Sequence, residues 1–156
     1  MLTPDEKGSI AELAIASAAA QLHIGVCKPL TDGERYDLIF DLRPRLVRVQ
    51  CKWATRCDDV VIVRCYSARR TASGLLKRFY SPEEIDAIGA YCHELGTCYL
   101  VPFELMVGQG SLQLRLAPAR NNQRLRIRWA REFELVTTLG RLGAVAQLGE
   151  RRAGSA

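Results

Sequence analysis

The sequence has few of the residues on which several common kinds of active site depend. Its 156 residues include two histidines, His23 and His93, and its six cysteines form no Cys-x-x-Cys pair. Zinc-ligand spacing is therefore missing, and a Ser-His-Asp triad has little to work with. Most of the cysteines fall within apolar runs, where a reduced cysteine packs as a small hydrophobic side chain. These absences argue against zinc centres, disulfide scaffolds and histidine-based catalysis.

Long hydrophobic runs are missing as well. The most apolar run, residues 10–22, is interrupted by Glu12 and is shorter than the ~20 residues that a membrane-spanning helix needs. Asp5 and Glu6 precede this run, whereas a secretory leader begins with positive charge. We therefore predict a cytoplasmic protein with no membrane partner.

The length and composition fit one globular domain. A chain of 156 residues with 48% hydrophobic and 25% charged residues is not disordered, and it is too short for two ordinary domains. We predict a single domain over residues 1–140 and a poorly ordered C-terminal tail over residues 141–156. Residues 144–152 resemble the translation of a tRNA gene, as expected for an intron-encoded reading frame that runs into an exon. An ordinary polar tail is the alternative.

Acidic residues are absent from two long segments, and this absence localises the positive charge. Residues 60–82 contain five basic residues and residues 105–131 contain six, although the formal charge of the whole chain is only +5. Most of these residues are arginines, whose planar donors match phosphates and base edges. We therefore predict a polyanion as the partner, and the ribbon and the resemblance described below imply that it is double-stranded DNA. The predicted DNA contacts are Lys7, Arg64, Arg69, Arg70, Lys77, Arg78, Gln113, Arg115, Arg124, Arg126 and Arg128.

Helix and strand signals alternate along the chain and predict an α/β fold. Thr3 and Glu6 form a capping box that begins a helix running to about Leu22. A second capping box at residues 81–84 predicts a second helix that ends near Gly96. Strands are predicted at residues 25–27, 36–41, 46–53, 60–65 and 97–101. This order of elements favours a sheet flanked by helices.

Alternating residues in the second half of the chain predict an added β-ribbon. In residues 111–116 and 124–129, leucine, isoleucine and tryptophan occupy one side, while arginine, glutamine and serine occupy the other. A two-stranded ribbon that presents Arg and Gln fits the major groove of DNA. The alternative is a solvated strand face whose charges only keep the protein in solution.

A predicted hairpin brings three polar side chains together. If its turn centres on Arg43-Pro44, Asp37 lies opposite Gln50, and Lys52 shares the face of Gln50. Asp37 is a hard oxygen ligand, and Glu12, a lone carboxylate in the apolar first helix, offers a second one. Mg²⁺ takes one or two carboxylates with waters and substrate phosphate, and a lysine can stabilise a phosphate in its transition state. The cluster therefore suggests phosphodiester hydrolysis, with a plain polar hairpin as the alternative.

These motifs together resemble the PD-(D/E)XK nuclease superfamily. Residues 7–12, Lys-Gly-Ser-Ile-Ala-Glu, resemble the Lys-Gly-x-x-x-Glu opening of its resolvase-like members. Residues 36–39, Tyr-Asp-Leu-Ile, and residues 49–52, Val-Gln-Cys-Lys, resemble strand motifs of the branch found in group I intron homing endonucleases. Residues 84–86 and 98–102 also resemble that branch. The resemblance spans residues 7–135, in order and at suitable spacing.

The resemblance implies a restriction-endonuclease-like fold with a central mixed sheet flanked by helices. It also implies divalent-metal-dependent DNA cleavage, with Mg²⁺ as the expected cation. The implied active site consists of Glu12, Asp37, Gln50 and Lys52, and the implied metal ligands are Asp37, Glu12 and the main-chain carbonyl of Cys51. Gln50 departs from the usual Asp or Glu of the superfamily and removes one anionic ligand. The Gln50-Cys51-Lys52 stretch resembles the Gln-x-Lys motif of the homing endonuclease branch.

Three interpretations of function follow from the resemblance. The leading one is a homing endonuclease that cuts a specific site in double-stranded DNA. Because a small domain with one active site does not easily cut both strands, we expect a homo-oligomer, either a dimer or a tetramer. The alternatives are a Holliday-junction resolvase or repair nuclease of the same fold, and a catalytically inactive relative that only binds DNA.

Overall fold

The computed structural model describes residues 1–121 and 125–143. Helix α1 spans Pro4–Gln21, helix α2 spans Leu135–Arg141, and short 3₁₀ turns occupy Phe103–Leu105 and Ala130–Phe133. The strands are β1 (Gly25–Cys27), β2 (Leu38–Asp41), β3 (Leu46–Cys57), β4 (Val60–Arg64), β5 (Tyr66–Thr71), β6 (Gly74–Phe79), β7 (Ala87–Cys92), β8 (Thr97–Pro102) and β9 (Ser111–Arg115). Among the helices of the described residues, none is long and apolar enough to cross a membrane. The part of the predicted tail from residue 144 onward lies outside the described residues.

Helix α1 begins at the predicted capping box. The Thr3 hydroxyl accepts a hydrogen bond from the Glu6 amide (3.2 Å), and the Glu6 carboxylate accepts one from the Thr3 amide (2.7 Å). These bonds satisfy amides that the first helical turn leaves without partners. The residues that α1 buries are Ala11, Ile15 and Ala19.

The hairpin of β2 and β3 has the predicted register. Its turn closes where the Leu42 amide donates to the Arg45 carbonyl (2.7 Å). The Asp37 amide donates to the Val49 carbonyl (2.9 Å), and the pairing of the two strands continues from there. Asp37 therefore lies across from Gln50, as the hairpin pattern predicts.

Strand β3 is the centre of a seven-stranded mixed sheet. Its first half pairs antiparallel with β2, which pairs antiparallel with β1. On its other side, β3 pairs in parallel with β7 from Val49 to Ala54, and β7 pairs antiparallel with β8. The last residues of β3 pair with β4, which pairs with β9. The long β3 thus joins two groups of strands, and its middle contains Gln50, Cys51 and Lys52.

The prediction of a second helix over residues 81–96 is wrong. Its capping box forms an isolated turn, in which the Ser81 amide donates to the Glu84 carboxylate (3.1 Å) and the Glu84 amide donates to the Ser81 carbonyl (3.0 Å). The chain then enters β7, whose first four residues are all buried. A strand covered on both faces reads as a continuous apolar run, which periodicity cannot distinguish from a buried helix.

Both faces of the sheet are covered by hydrophobic side chains. Helices α1 and α2 pack on the same cluster, to which β3 contributes Val47, Val49 and Cys51. Gly89 of β7 lets α1 come close, because a Cβ there would lie 3.1 Å from Ile15. Residues of β4, β7, β8 and β9 form a second cluster on the opposite face. The two described helices therefore flank the sheet on one face.

Strands β5 and β6 form a separate two-stranded sheet, which we call the ribbon (residues 66–79). Its pairing runs from Tyr66 opposite Phe79 to Thr71 opposite Gly74. Apart from two half-buried residues at the start of β5, the side chains of both strands are exposed. The protein thus has an added ribbon, but at other residues than those predicted.

The predicted ribbon of residues 111–116 and 124–129 is wrong in its pairing. Strand β9 pairs with β4 inside the main sheet, and Leu112 and Leu114 are buried as predicted. Trp129 makes an isolated bridge to β9, while Leu125, which the alternation places on the buried side, is 81% exposed. Arg124 lies outside the described residues. The partner of β9 is distant in sequence, and an alternating pattern contains no information about it.

Candidate active site

Asp37 precedes β2 and is held by the middle of β3. Its Oδ2 accepts a hydrogen bond from the Cys51 amide (2.9 Å). Burial raises the pKa of Asp37, and the neighbouring carboxylate of Glu12 raises it further. The Cys51 amide and the ammonium groups of Lys52 and Lys28 act in the opposite direction but do not cancel the rise. The cost of burying the charged carboxylate therefore exceeds what the amide and the two ammonium groups give back, and the charged form is less stable than that of an exposed aspartate.

Glu12 reaches the same cluster from helix α1. Its side chain is 26% exposed, and its carboxylate forms an ion pair with the Lys28 ammonium. The charge of Glu12 contributes to the raised pKa of Asp37, so the two carboxylates act on one another. A lone carboxylate in an apolar helix needs a cation, metal or donor, and here Lys28 is the cation. Lys28 lies in the loop after β1 and belongs to no motif, so sequence reasoning missed it.

Lys52 projects from β3 toward the base of the ribbon. Its Nζ donates to the Tyr66 carbonyl (3.0 Å) and lies 5.1 Å from the ring centroid of Tyr80. Burial lowers the pKa of Lys52 to about 8, against a smaller opposing effect of Asp37. A large fraction of the amine is therefore neutral in mildly alkaline solution, where Nζ can accept a proton. Because Tyr66 begins the ribbon and Tyr80 follows it, this amine also joins the cluster to the ribbon.

Gln50 and Cys51 complete the stretch of β3 at this place. Gln50 lies beside Ile88 of β7, and the alternation of β3 puts it on the face of Lys52. The Cys51 side chain points to the opposite face, where burial raises the pKa of its thiol far above the usual range. Because this side chain packs in the buried cluster on that face, the group that Cys51 can offer to the site is its main-chain carbonyl.

The donors of this cluster fit a hard divalent cation. Within residues 1–121 and 125–143, no group of three or more His, Cys, Asp or Glu side chains comes together. The cluster instead combines the carboxylates of Asp37 and Glu12 with amide and main-chain oxygens. Mg²⁺ takes one or two carboxylates and completes its shell with water and phosphate oxygens, so the donor set suits it.

The ribbon presents basic side chains on both of its faces. The strand register puts Arg70 and Lys77 on one face and Arg69 and Arg78 on the other. All four side chains are exposed. The Lys77 ammonium and the Arg64 guanidinium lie 4.7 and 6.0 Å from the ring centroid of the first ribbon residue. Five of the predicted DNA contacts therefore lie on the ribbon or at its base.

Arg35 fastens the ribbon to the rest of the molecule. Its Nη1 donates to the Ser67 hydroxyl (3.1 Å) and its Nη2 to the Phe79 carbonyl (3.3 Å), so it contacts both strands. Its Nε lies 2.9 Å from Glu84 Oε2, and its guanidinium lies 4.3 Å from the ring centroid of Tyr80. Arg35 lies in a polar loop, and its ribbon partners are 32 and 44 residues away. Local patterns therefore give no signal for it.

The other predicted DNA contacts lie on different elements. Gln113 and Arg115 are on β9, where Asp58 and Asp59 line the same groove, so the charge there is mixed. Lys7 lies in the second turn of α1, with its ammonium 5.6 Å from the ring centroid of Trp53. The remaining described ones, Arg126 and Arg128, belong to the segment before the second 3₁₀ turn.

The central hairpin of the mixed sheet brings together Asp37, Gln50 and Lys52, and Glu12 acts on Asp37 from α1. This arrangement is typical of a nuclease. The comparisons with known proteins agree with this class. A family profile described as PD-(D/E)XK endonuclease matches residues 2–136. The chain belongs to the PD-(D/E)XK endonuclease family, and it is a nuclease that hydrolyses DNA. Enzymes of this family generally depend on a divalent metal ion.

A solved structure supports the same assignment. This chain is similar to a bacterial homing endonuclease, I-Ssp6803I, with a TM-score of 0.72 and 26% sequence identity. The match covers 94% of this chain and 98% of that one. A search of curated proteins found no match. The predictions of a restriction-endonuclease-like fold and of a DNA endonuclease are therefore confirmed.

Proposed function

We propose that this chain is a homing endonuclease that uses Mg²⁺ to cut a specific site in double-stranded DNA. The observation that carries the proposal is the position of Lys52: its Nζ donates to the Tyr66 carbonyl at the start of the ribbon, and the Asp37 carboxylate acts on its pKa. A cutting centre and a DNA-holding element thus share one side chain. The similarity to a bacterial homing endonuclease supports the same substrate class.

The chemistry assigns a distinct role to each residue of the cluster. Asp37, Glu12 and the Cys51 carbonyl would hold Mg²⁺, which when bound polarises a phosphoryl oxygen. Lys52 Nζ lies where it can stabilise negative charge on the phosphate or accept a proton from the attacking water. Its pKa of about 8 suits that second role, because proton transfer is most effective for groups that titrate near the working pH. Gln50 contributes a neutral oxygen in place of a third carboxylate.

The ribbon would supply the recognition of the DNA site. A two-stranded β-ribbon fits the major groove, and arginine can bond to guanine with two donors at once. Arg69, Arg70, Lys77 and Arg78 are exposed on its two faces, with hydrogen bonds between the two strands holding their spacing. Exposed Arg and Lys also neutralise phosphates, which raises affinity for any duplex. The ribbon can therefore both hold the duplex and read its bases.

Cutting both strands of the site would require more than one copy of the chain. We infer a homo-oligomer, either a dimer or a tetramer, because each chain contributes one cluster of this kind. The likeness of residues 144–152 to a translated tRNA gene further suggests a reading frame inside a group I intron of such a gene. Analytical ultracentrifugation tests the oligomer, and the position of the gene tests the intron.

A cleavage assay on defined substrates tests the proposal. The substrates are plasmids that carry intron-free tRNA genes, a plasmid without them, and a four-way DNA junction. We expect cutting at one position of a tRNA gene in Mg²⁺ and none in excess chelator. The matched variants are Asp37→Asn, which removes the carboxylate, and Arg56→Met, which removes an exposed arginine at the far end of β3. Asp37→Asn should be inactive, and Arg56→Met should cut like the wild type.

Two outcomes would contradict the proposal in different ways. Preferential cutting of the junction would favour the resolvase interpretation. Tight binding of every duplex without cutting in Mg²⁺ would favour an inactive DNA-binding relative.

A further inference from the structure

Lys28 lies beside the carboxylate pair, although it belongs to neither the strand motif nor the helix motif. Strand β1 ends at Cys27, which pairs with Ile39 of β2. Lys28 therefore leaves the sheet next to the end of β2 at which Asp37 lies. From there its ammonium forms an ion pair with Glu12, which comes from the opposite direction on α1. Its charge also lowers the pKa of Asp37.

Lys28 occupies a carboxylate oxygen that a metal ion held by Asp37 and Glu12 would also use. Two carboxylates that repel each other are stabilised by a cation. In the protein without metal, the Lys28 ammonium is such a cation and contacts Glu12. A divalent cation bound to the same oxygens would have to break that ion pair. It would also be repelled by the ammonium if Lys28 stayed in place. The side chain of Lys28 is 67% exposed, so it is free to swing into solvent once the pair is broken.

We propose that Lys28 competes with the divalent metal ion for the carboxylate pair, and that the metal displaces it when it binds. The proposal rests on the proposed function, because it concerns the same metal-binding residues. In the free protein Lys28 neutralises Glu12 and keeps metal affinity low. When metal has bound, the released ammonium lies at the edge of the cluster, where a DNA phosphate can take the place of Glu12 as its partner.

Metal affinity of the protein alone tests the competition directly. Binding of Mn²⁺ is measured by the electron paramagnetic resonance signal of free Mn²⁺, without DNA and at constant pH. We expect Lys28→Met to lower the Kd for Mn²⁺ by about three- to tenfold, since a nearby positive charge is removed. Lys28→Arg should stay close to the wild type. Lys77→Met is the matched control, because it removes an exposed lysine on the ribbon and should leave the Kd unchanged.

A second variant and a second measurement exclude an indirect effect. In Glu12→Gln protein the ion pair is gone, so Lys28→Met should no longer change the Kd by more than about twofold. The chain has only four lysines, Lys7, Lys28, Lys52 and Lys77, so ¹³C-lysine labelling gives four assignable Cε signals. Addition of Mg²⁺ should move the Lys28 signal toward that of a free lysine and leave the Lys77 signal in place.

The outcomes separate this inference from the proposed function. If Lys28→Met binds Mn²⁺ as the wild type does, or more weakly, the competition is refuted, whatever the cleavage assay gives. If Lys28→Met binds Mn²⁺ more tightly but the wild type cuts no DNA, the competition stands and the proposed function falls. A solvated surface ion pair without a metal role predicts an unchanged Kd, because such pairs contribute little.

Discussion

The cluster around Asp37 and the ribbon are both rich in charge, but they hold that charge in opposite ways. Lys52 and Lys77 illustrate the difference, since each lies about 5 Å from a tyrosine ring centroid, at 5.1 and 4.7 Å. Lys52 is half-buried, and burial lowers its pKa to about 8. Lys77 is exposed on a two-stranded sheet with solvent on both faces. In the function that we propose, the same residue type serves proton transfer in one region and contact with DNA in the other.

Positive charge alone does not distinguish a DNA-binding surface from a catalytic cluster. Residues 60–82 and 105–131 are equally free of acid in the sequence, yet among the described residues of the two segments only the first contains a separate two-stranded ribbon. In the proposed function, the division between the two regions follows burial. The few charges taken out of water have altered pKa values, while the many exposed ones act through number and spacing. Each of the following predictions separates the two regions by a different measurement.

The largest effect is expected from Lys52→Met. Removing the amine should lower the single-turnover cleavage rate by about 10³-fold or more, because both charge stabilisation and proton transfer at Nζ are removed. Affinity for DNA, measured by fluorescence anisotropy in Ca²⁺, should change by less than about threefold, since one buried amine adds little to a surface of exposed arginines. A large loss of affinity with an unchanged rate would reverse the assignment of the two regions.

Neutralising the ribbon should have the next largest effect. In contrast to Lys52→Met, it should lower DNA affinity and leave the cleavage rate nearly unchanged. In the variant with Arg69, Arg70, Lys77 and Arg78 all changed to Gln, DNA affinity should fall by about 100-fold, and the slope of log K against log salt should shrink by about 0.9 for each phosphate that the protein no longer neutralises. The single-turnover rate at saturating DNA should stay within about threefold of the wild type. Arg56→Met is the control at the far end of β3, and we expect less than about a threefold change in affinity.

Arg35→Met should loosen the junction between the two regions. Because Arg35 contacts Ser67, Phe79 and Glu84 together, its removal should raise hydrogen exchange of the ribbon amides by about tenfold, while β7 exchanges as before. Arg56→Met is the matched arginine control. Equal protection of the ribbon in Arg35→Met and wild type would mean that other contacts hold it.

The smallest effect is a gain of stability when Asp37 loses its charge. A carboxyl whose pKa is higher in the folded than in the unfolded protein binds more protons when folded, so the free energy of unfolding falls as pH rises from its ordinary pKa of 3.8 through the folded value. That decrease persists at neutral pH. We therefore expect Asp37→Asn to raise the Tm by about 2–5 °C at pH 7 in chelator, and by less at pH 4. A lower Tm at pH 7 would mean that the carboxylate stabilises the metal-free fold.

The sequence was most informative where local geometry decides the structure. The capping box of Thr3 and Glu6 depends on residues three apart, and the register of Asp37 against Gln50 follows from a short turn. Asp37, Gln50 and Lys52 therefore lie together at the central hairpin, as their motifs predict. Their catalytic and metal-binding roles stay predictions until the variants above are measured.

The errors arose where contacts with a distant part of the chain decide the secondary structure or the strand pairing. Strand β7 is buried on both faces, so its apolar run had the appearance of a helix. Strand β9 pairs along its length with β4, while its Arg115 makes an isolated bridge to Trp129 of the next basic segment. Lys28 and Arg35 were missed because their partners, Glu12 and the ribbon, are brought to them by the fold and not by any spacing in the sequence.

The independence of the ribbon from the main sheet has a consequence for how this enzyme can evolve. All ladder hydrogen bonds of β5 and β6 are made within the pair, so inserting two residues into each strand lengthens the ribbon by ~6.6 Å without altering any other strand. An insertion of two also preserves which side chains share a face. A lineage can therefore lengthen, shorten or rewrite the ribbon to follow a drifting target, while selection on the residues that break the bond continues undisturbed.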